Sequence, residues 1–392
     1  MPKQPIVCWN GIVKNEIGVI ERCMQALVGH IDYWVVVDTG STDGTQALIK
    51  SFMNKHKIKG ELIERSWVNF SHNRNEAIEL AEGKADYLLL CDADMEFRAF
   101  EDDWKRHLDG TPSYLVNQRT LRSLLYGNVR LIDARLQGDK RFRYWGPTHE
   151  YIAQIEYIPH SHKKLSCIEF KDYADGGSKA DKLERDVRML NDELIRLKAL
   201  ETADEKTRKA AYDSGILRHI DTLIPRCTFY LAQTWRDYNA HELALANYKK
   251  RIQLGGWAEE VWCSMRQCGL LMEKLNYPES QIAEQYLAAF QFRPTRAESL
   301  YELARYYRTL KNYVMGYIYA KAAVDIPLPN DTLFVSTDVY AWRAKDELAV
   351  CAFWTGRHRE YYDLCQEILV RDDIPDTRRQ QITKYLPKNR PG

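Results

Sequence analysis

The chain has almost no net charge, no CxxC pair and no long apolar run, and each absence removes a class of function. With 56 Lys and Arg against 55 Asp and Glu, the balance of +1 excludes a broad electrostatic grip on nucleic acid. An anionic ligand would have to be held by local residues or by a metal. No apolar stretch approaches the roughly 20 residues that span a bilayer. The 28% of charged residues also argues against a membrane-embedded chain. Nine cysteines, an odd number scattered through apolar segments, fit buried thiols in a reducing, cytoplasmic setting rather than disulfides or zinc. The opening Met1-Pro2-Lys3-Gln4-Pro5 lacks the architecture of a cleavable signal, because the apolar run behind it is short and interrupted by Asn10 and Lys14.

What the chain does have is length and apolar content for two or three domains: 392 residues, 45% of them hydrophobic. The stretch Asp86-Tyr87-Leu88-Leu89-Leu90-Cys91-Asp92-Ala93-Asp94 reads as a strand buried on both faces that closes on two carboxylates. In an extended chain alternate side chains point the same way, so Asp92 and Asp94 converge on one point, where a hard divalent cation resolves their repulsion. A solvated acidic turn is the plainer alternative. Upstream, Ile6 to Trp9 reads as a strand that Asn10-Gly11 begins to break, and Ile17 to Leu27 as an amphipathic helix. Tyr33 to Val37 is a second strand, followed by the loop Asp38-Thr39-Gly40-Ser41-Thr42-Asp43-Gly44-Thr45 and a helix over 46–54. That loop lacks both the Walker lysine and the GxGxxG spacing. Asp38, at a strand's carboxyl end, is placed to accept from a nucleobase or ribose, while Ser41, Thr42 and Asp43 also serve as helix caps. A third strand over 62–64 and a helix from Ser71 to about Ala81 complete three βα units ahead of the paired carboxylates.

Val35-Val36-Val37-Asp38-Thr39-Gly40-Ser41-Thr42-Asp43-Gly44-Thr45 resembles the VVDxGSTDGT signature of family 2 glycosyltransferases. Val13-Lys14-Asn15-Glu16, Arg74-Asn75-Glu76-Ala77 and Leu90-Cys91-Asp92-Ala93-Asp94 follow in that family's order and spacing. The resemblance implies a GT-A fold, an α/β, Rossmann-like domain with a mixed sheet. It also implies a nucleotide-sugar donor, most often a UDP-sugar, and Mn²⁺ or Mg²⁺ bridging the Asp-x-Asp (DXD) carboxylates to the diphosphate. Asn15, Glu16, Asp38, Arg74 and Asp92 then fall in the donor site, with Asp38 and Arg74 near the base, Asp92 near the ribose or metal and Asp94 on the metal. Thr39 departs from the pattern, since many members carry an acidic residue there.

Beyond Asp94 the βα regularity ends. Strands are expected over 113–118, 129–132 and 151–158, with Tyr126-Gly127-Asn128 as a turn. Arg143, Tyr144, Gly146, His149 and Glu150 match the family's R-Y-x-G-x-V-H-E pattern, with Thr148 in place of Val. Glu150 is the expected general base. His149 is a candidate metal ligand, acceptor-site donor or partner of Glu150. Trp145 and Tyr144 stack on a sugar or pack in the core. The resemblance puts a late residue in the donor site, for which Asp172 and His162 are both candidates as metal ligands. Lys179 or Lys182 adds positive charge beside Gly176-Gly177.

From Lys182 the pattern is helical. Ala232, Cys268 and Ala304 recur 36 residues apart, close to the tetratricopeptide period, with turns at Asn239-Ala240, Tyr277-Pro278 and Lys311-Asn312. A degenerate pair over 349–369 follows an insert around Pro327 to Ser336. This organisation resembles the family 2 subgroup fused to tetratricopeptide-like repeats. The expected division is a GT-A catalytic domain over 1–180, a helical linker over 181–225 and an all-α repeat domain over 226–392. The reading is a metal-dependent, inverting glycosyltransferase without a transmembrane segment, whose acceptor is a glycan, protein or lipid-linked group. The repeats would serve a protein partner or a homodimer. The alternatives are a nucleotidyltransferase, which calls for a Gly-rich basic loop after the first strand, and a repeat scaffold with an inactive transferase domain.

Overall fold

The computed structural model describes residues 4–120, 125–156, 162–176 and 182–388. The chain divides into two compact units, Met1–Asn239 and Ala240–Gly392.

The first unit opens with β1 (Val7–Val13), α1 (Ile20–Leu27), β2 (Tyr33–Asp38), α2 (Thr45–Lys55), β3 (Lys59–Glu64), α3 (Phe70–Leu80) and β4 (Tyr87–Leu90). It continues with β5 (Met95–Ala99), β6 (Ser113–Thr120), β7 (Leu125–Asp133), β8 (Phe142–Trp145), β9 (Tyr151–Gln154) and β10 (His162–Asp172). Eight strands form one sheet in the order β3-β2-β1-β4-β7-β6-β10-β5, and β8 and β9 make a separate hairpin. The quartet β3-β2-β1-β4 is parallel, whereas β7 runs antiparallel to β4 and β6. The chain winds outward from β1 to β3, then returns to β1's other side as β4. That reversal opens a crevice at the carboxyl ends of β1 and β4, where α/β folds bind ligands. The mixed α/β sheet expected for the N-terminal part is therefore present.

β1 continues through Asn10-Gly11 instead of breaking there, for two reasons. Asn10 is buried and its Nδ2 donates to the Ala77 carbonyl at 2.7 Å, tying β1 to α3. Gly11 faces the Cys91 carbonyl so closely that a Cβ would lie 2.7 Å from its oxygen. Tyr126-Gly127-Asn128 is likewise strand, not turn: Gly127 pairs with Asn117 and leaves room for Leu115, which a Cβ would meet at 2.8 Å. β10 was not anticipated, because Lys163, Lys164 and Glu169 interrupt its apolar pattern.

The first unit then adds α4 (Lys182–Ala199), α5 (Glu205–Asp213) and α6 (Ile216–Asp237). Leu197 and Leu200, following α4's apolar stripe, share a core with Trp145 and Ile155 of the small hairpin and Leu223 of α6. This unit therefore runs to Asn239, past the boundaries drawn at 180 and 225.

The second unit is helical: α7 (His241–Leu254), α8 (Ala258–Lys274), α9 (Glu279–Phe292), α10 (Glu298–Thr309), α11 (Tyr313–Val324), α12 (Ala344–Trp354), α13 (His358–Leu369) and α14 (Asp376–Tyr385). Asn276 and Lys311 take left-handed φ values of 55° and 60° at the turns that follow α8 and α10. Cys268 and Ala304 are fully buried in α8 and α10, as is Ala232 in α6, so the 36-residue spacing marks one packed position in successive first helices.

Close packing within a pair is clearest at Gly269 on α8, where a Cβ would sit 2.5 Å from the ring of buried Tyr286 on α9. Helix propensity favours Ala over Gly by about 1 kcal/mol. Overpacking a fixed ring costs about 1–3 kcal/mol, and Tyr286 cannot swing away while its hydroxyl donates to Glu273 at 2.5 Å. Gly269→Ala is therefore expected to destabilise the second unit by roughly 1–2 kcal/mol. Urea unfolding followed by far-UV circular dichroism checks this, and a raised midpoint would refute the packing argument.

Candidate active site

The crevice is lined first by two loops that hold each other. Asp38 ends β2 fully buried, and its Oδ1 accepts from the Gly40 and Ser41 amides at 2.9 and 2.8 Å and from Gln46 Nε2 at 3.0 Å. Gly40 and Gly44 adopt φ values of 104° and 98°, which lets the chain turn this tightly. Asp38 Oδ2 is buried with no hydrogen-bond partner among the described residues. The loop after β1 is stitched alongside: Asn15 donates its amide to Ser41 Oγ at 2.9 Å and accepts from the Thr42 amide at 2.8 Å. The Glu16 amide donates to Thr45 Oγ1 at 2.8 Å. Asp43 Oδ1 accepts from the Thr45 amide at 3.0 Å as the chain enters α2, whose cap position is Gly44 with no side-chain cap, so the capping role weighed for Ser41, Thr42 and Asp43 is met only by this local bond.

The centre of the site is Asp92. Arg74 of α3 donates to Asp92 Oδ1 at 2.6 Å and to Glu150 Oε1 at 2.7 Å. Arg130 of β7 donates to Asp92 Oδ2 at 3.2 Å and to Gln118 Oε1 at 2.8 Å. Gln118 in turn donates to Asp172 Oδ2 at 2.8 Å, which also accepts from Tyr126 at 3.3 Å. One polar chain thus runs from Glu150 through Arg74, Asp92, Arg130 and Gln118 to Asp172. Burial pushes the Asp92 carboxyl up, but Arg74 and Arg130 more than offset it and hold it at about 2. Asn75 keeps α3 in place by exchanging hydrogen bonds with the Tyr144 main chain at 2.8 and 3.0 Å.

Asp94 has the opposite surroundings. The chain leaves the strand after Leu90 and turns, with the Met95 amide donating to the Asp92 carbonyl at 3.1 Å. The two carboxylates therefore do not project alike from one strand: Asp92 points at two arginines, and Asp94 meets the segment after β10. Asp94 Oδ2 accepts from the Gly176 amide at 3.3 Å, and a Cβ on Gly176 would lie 3.2 Å from both Asp94 Oδ2 and Glu16 Oε2. Burial, then Asp92 and Asp172, push the Asp94 carboxyl above its ordinary value. Among the described residues no three His, Cys, Asp or Glu side chains form a ready metal cage.

Several expected residues lie elsewhere. His149 turns away, with its ring stacked on Tyr230 of α6 at 4.1 Å and its carbonyl accepting from Arg226 at 2.9 Å. Burial, then Lys182 and Arg226, lower its pKa to about 3. Trp145 is buried and stacks on His219 at 4.0 Å, so it fills a core and presents no sugar platform. His162 bonds Ser113 Oγ at 2.8 Å at the start of β10, the end opposite Asp172, roughly 30 Å along the strand. Lys179 lies outside the described residues. His162 is thus separated from the Asp172 end of β10 by the length of the strand, and the His149 ring is engaged by Tyr230.

Arg130 and Arg22 were missed. Arg130 stands in Val129-Arg130-Leu131-Ile132, and an arginine inside an apolar strand requires a buried acid. That signal was available in the sequence. Arg22 donates to Asp175 at 2.7 and 3.0 Å and to the Asp94 carbonyl at 3.3 Å, and lies 3.8 Å over the Tyr173 ring. On an exposed helix face nothing in the sequence distinguishes it.

Residues 12–108 match the family described as glycosyl transferase family 2. A TPR repeat-containing protein of Synechococcus elongatus is 35% identical over 86 residues, covering 22% of this chain and 19% of that protein. The matched part is therefore about a fifth of that relative. Among solved structures, MamA is similar at 14% identity and a TM-score of 0.31, covering 50% of this chain and 98% of that one. BtubC from P. vanneervenii is similar at 12% identity and a TM-score of 0.33, over 54% of this chain and 96% of that one. The stretch that matches glycosyl transferase family 2 thus lies within the first unit, and the second unit consists of successive helices. No helix among the described residues is long and apolar enough to cross a membrane.

Because His149 is held neutral in the folded state, unfolding takes up a proton below its ordinary value of 6.5, and stability falls as pH drops from there toward 3. Between pH 7 and 5 this contributes a loss of about 2 kcal/mol. His149→Phe keeps the stack on Tyr230 and should flatten that part of the stability profile. Urea midpoints of both proteins at pH 7, 6 and 5 check it, and parallel profiles would count against the neutral assignment.

Proposed function

We propose that the chain transfers a sugar from a nucleotide-sugar donor, with uridine diphosphate as leaving group, to a hydroxyl or thiol acceptor with inversion. The contrast between Asp92 and Asp94 carries this reading: one carboxylate is neutralised by two arginines, while its neighbour faces like charge and, among the described residues, accepts from the Gly176 amide. Asp94, with Glu16 beside it, suits a cation that takes one or two carboxylates from the protein and the rest of its ligands from a diphosphate. When bound, Mn²⁺ or Mg²⁺ would supply Lewis-acid stabilisation of the charge that grows on the departing diphosphate. That division assigns Asp92 to holding Arg74 and Arg130 and not to ligating the metal.

The remaining roles belong to the chain's own groups. Asp38 Oδ2, buried and unpartnered, accepts from a ring N–H such as uracil's. Glu150 is oriented through Oε1 by Arg74, and its other oxygen takes the acceptor's proton as the new bond to the anomeric carbon forms and the sugar–phosphate bond breaks. The nucleotidyltransferase alternative loses support because the loop after β1 spends its polar groups on the neighbouring loop. Nine cysteines outside any disulfide, most of them buried, favour a reducing compartment such as the cytoplasm. The helical pairs offer surface for a protein acceptor or a second copy.

Thermal shift with UDP-, GDP-, dTDP- and CMP-sugars, each with and without Mn²⁺, tests the donor assignment. Asp94→Asn should abolish the metal-dependent rise and lower transfer by at least about a hundredfold, while melting close to the parent without ligand. An unchanged metal-dependent shift would overturn the role given to Asp94. Asp38→Asn should weaken donor binding whether or not metal is present.

Glu150→Gln should retain the donor-induced shift yet lower turnover by about 10²–10⁴-fold. If the parent binds donor but transfers to no acceptor, the inactive-scaffold reading replaces this one.

A further inference from the structure

The second unit contains a segment that the transferase reading leaves unexplained, the insert between α11 and α12. Residues 325–336 join no helix or strand, yet side chains from neighbouring helices reach to the main chain there. Glu259 Oε2 accepts from the amides of Thr332 and Leu333 at 2.8 and 2.7 Å. Arg296 donates to the carbonyls of Leu333 and Phe334, both at 3.2 Å, and Glu298 Oε1 accepts from the Ser336 amide at 3.1 Å. Asp331 is gripped by Arg293 at 2.5 and 2.6 Å and by Arg296 at 3.1 Å, and the Leu333 side chain is buried.

Connecting segments ordinarily run over the protein surface. Here the helices supply the recognition. Arg296 is wholly buried, lies 3.9 Å over the face of Trp262 and is braced by Glu298 at 2.8 Å. Glu259 and Glu298 lie in the first turns of α8 and α10, and Arg293 and Arg296 in the turn between α9 and α10. Main-chain read-out combined with one carboxylate clamp and one aliphatic socket is how a peptide site is built. Beyond the Arg296–Glu298 pair, Arg293 and Arg296 carry further donors, which the acid and main-chain carbonyls of the insert satisfy.

We infer that Asp331–Ser336 is the intramolecular occupant of a peptide-binding cradle formed by Glu259, Arg293, Arg296 and Glu298 on a Trp262 floor. The external partner is a protein segment with an aspartate two residues ahead of a leucine-sized aliphatic residue. A segment tethered at both ends competes at an effective concentration on the order of millimolar, so it masks the cradle from peptides of modest affinity.

A fluorescein-labelled peptide spanning residues 328–337 is titrated, by anisotropy, into the whole chain and into its Asp331→Ala/Leu333→Ala variant. The variant should bind at least about tenfold more tightly than the parent, since the tethered competitor has lost its carboxylate clamp and its aliphatic anchor. The same peptide with its aspartate changed to alanine should not bind, and adding Arg293→Ala to the variant should remove binding. A folded variant that binds no better than the parent, or that binds the altered peptide equally, overturns the inference. If the double variant does not fold, Asp331→Asn keeps the side chain's shape and loses only its charge. It should also raise affinity for the peptide, and an unchanged affinity would be equally decisive against the cradle.

Discussion

The first unit depends on one interaction, the grip of two guanidinium groups on the Asp92 carboxylate. Arg74 comes from α3 and Arg130 from β7, so this one carboxylate joins a helix covering the sheet to the strand where parallel pairing gives way to antiparallel. Burying three charges is tolerable only when most of their hydrogen bonds are satisfied, and Glu150, Gln118 and the Leu90 carbonyl meet much of that requirement, leaving Arg130 Nε without a partner among the described residues. The consequence reaches the chemistry. Asp92 is held between two arginines while Asp94 meets the Gly176 amide, so the distinction between the two acids arises from what surrounds them.

The second unit is built on a related device at smaller scale. Arg251 pairs with Glu260, Arg266 with Glu302, Arg305 with Glu273, Arg308 with Glu347 and Arg378 with Asp346. Ion pairs thus join α7 to α8 and, skipping one helix each time, α8 to α10, α10 to α12 and α12 to α14, between small apolar contacts such as Ala304, Gly316 and Ala320. A buried pair of this kind adds little net stability over an apolar one, but a helix displaced by one turn would leave its charges unpaired. The ladder therefore holds register. The insert held by Arg293 and Arg296 uses the same arginine chemistry to hold a stretch with no regular structure.

Much of this was legible in order along the chain. Apolar runs bounded by turn residues marked β2 and β4, helical periodicity marked α1 to α3, and the recurrence of Ala232, Cys268 and Ala304 marked the paired helices. The loop after Asp38 and the acids at 92 and 94 were visible as well. The errors have a common cause. Asn10-Gly11 and Tyr126-Gly127-Asn128 look like breaks because glycine and asparagine are read locally, but in the sheet the glycines admit a close neighbour and Asn10 bonds across to α3. β10 carries lysines and a glutamate that hid it.

By itself the sequence determined which residue types sit at the carboxyl ends of the strands, because the period of the apolar pattern and the turn residues are properties of neighbours in the chain. Tertiary structure alone decided what those residues can do. Asp92 and Asp94 are separated by one alanine and are chemically identical, yet the carboxylate of one is gripped by arginines brought from residues 74 and 130, while the other's accepts from the Gly176 amide and Arg22 reaches only its main-chain carbonyl. His149, adjacent to Glu150, is turned onto Tyr230 and kept neutral, and His162 is carried to the far end of its strand. Local periodicity carries no information about partners tens of residues away. Burial and charge pairing, which set proton affinity and ligand affinity, are made almost entirely of such partners.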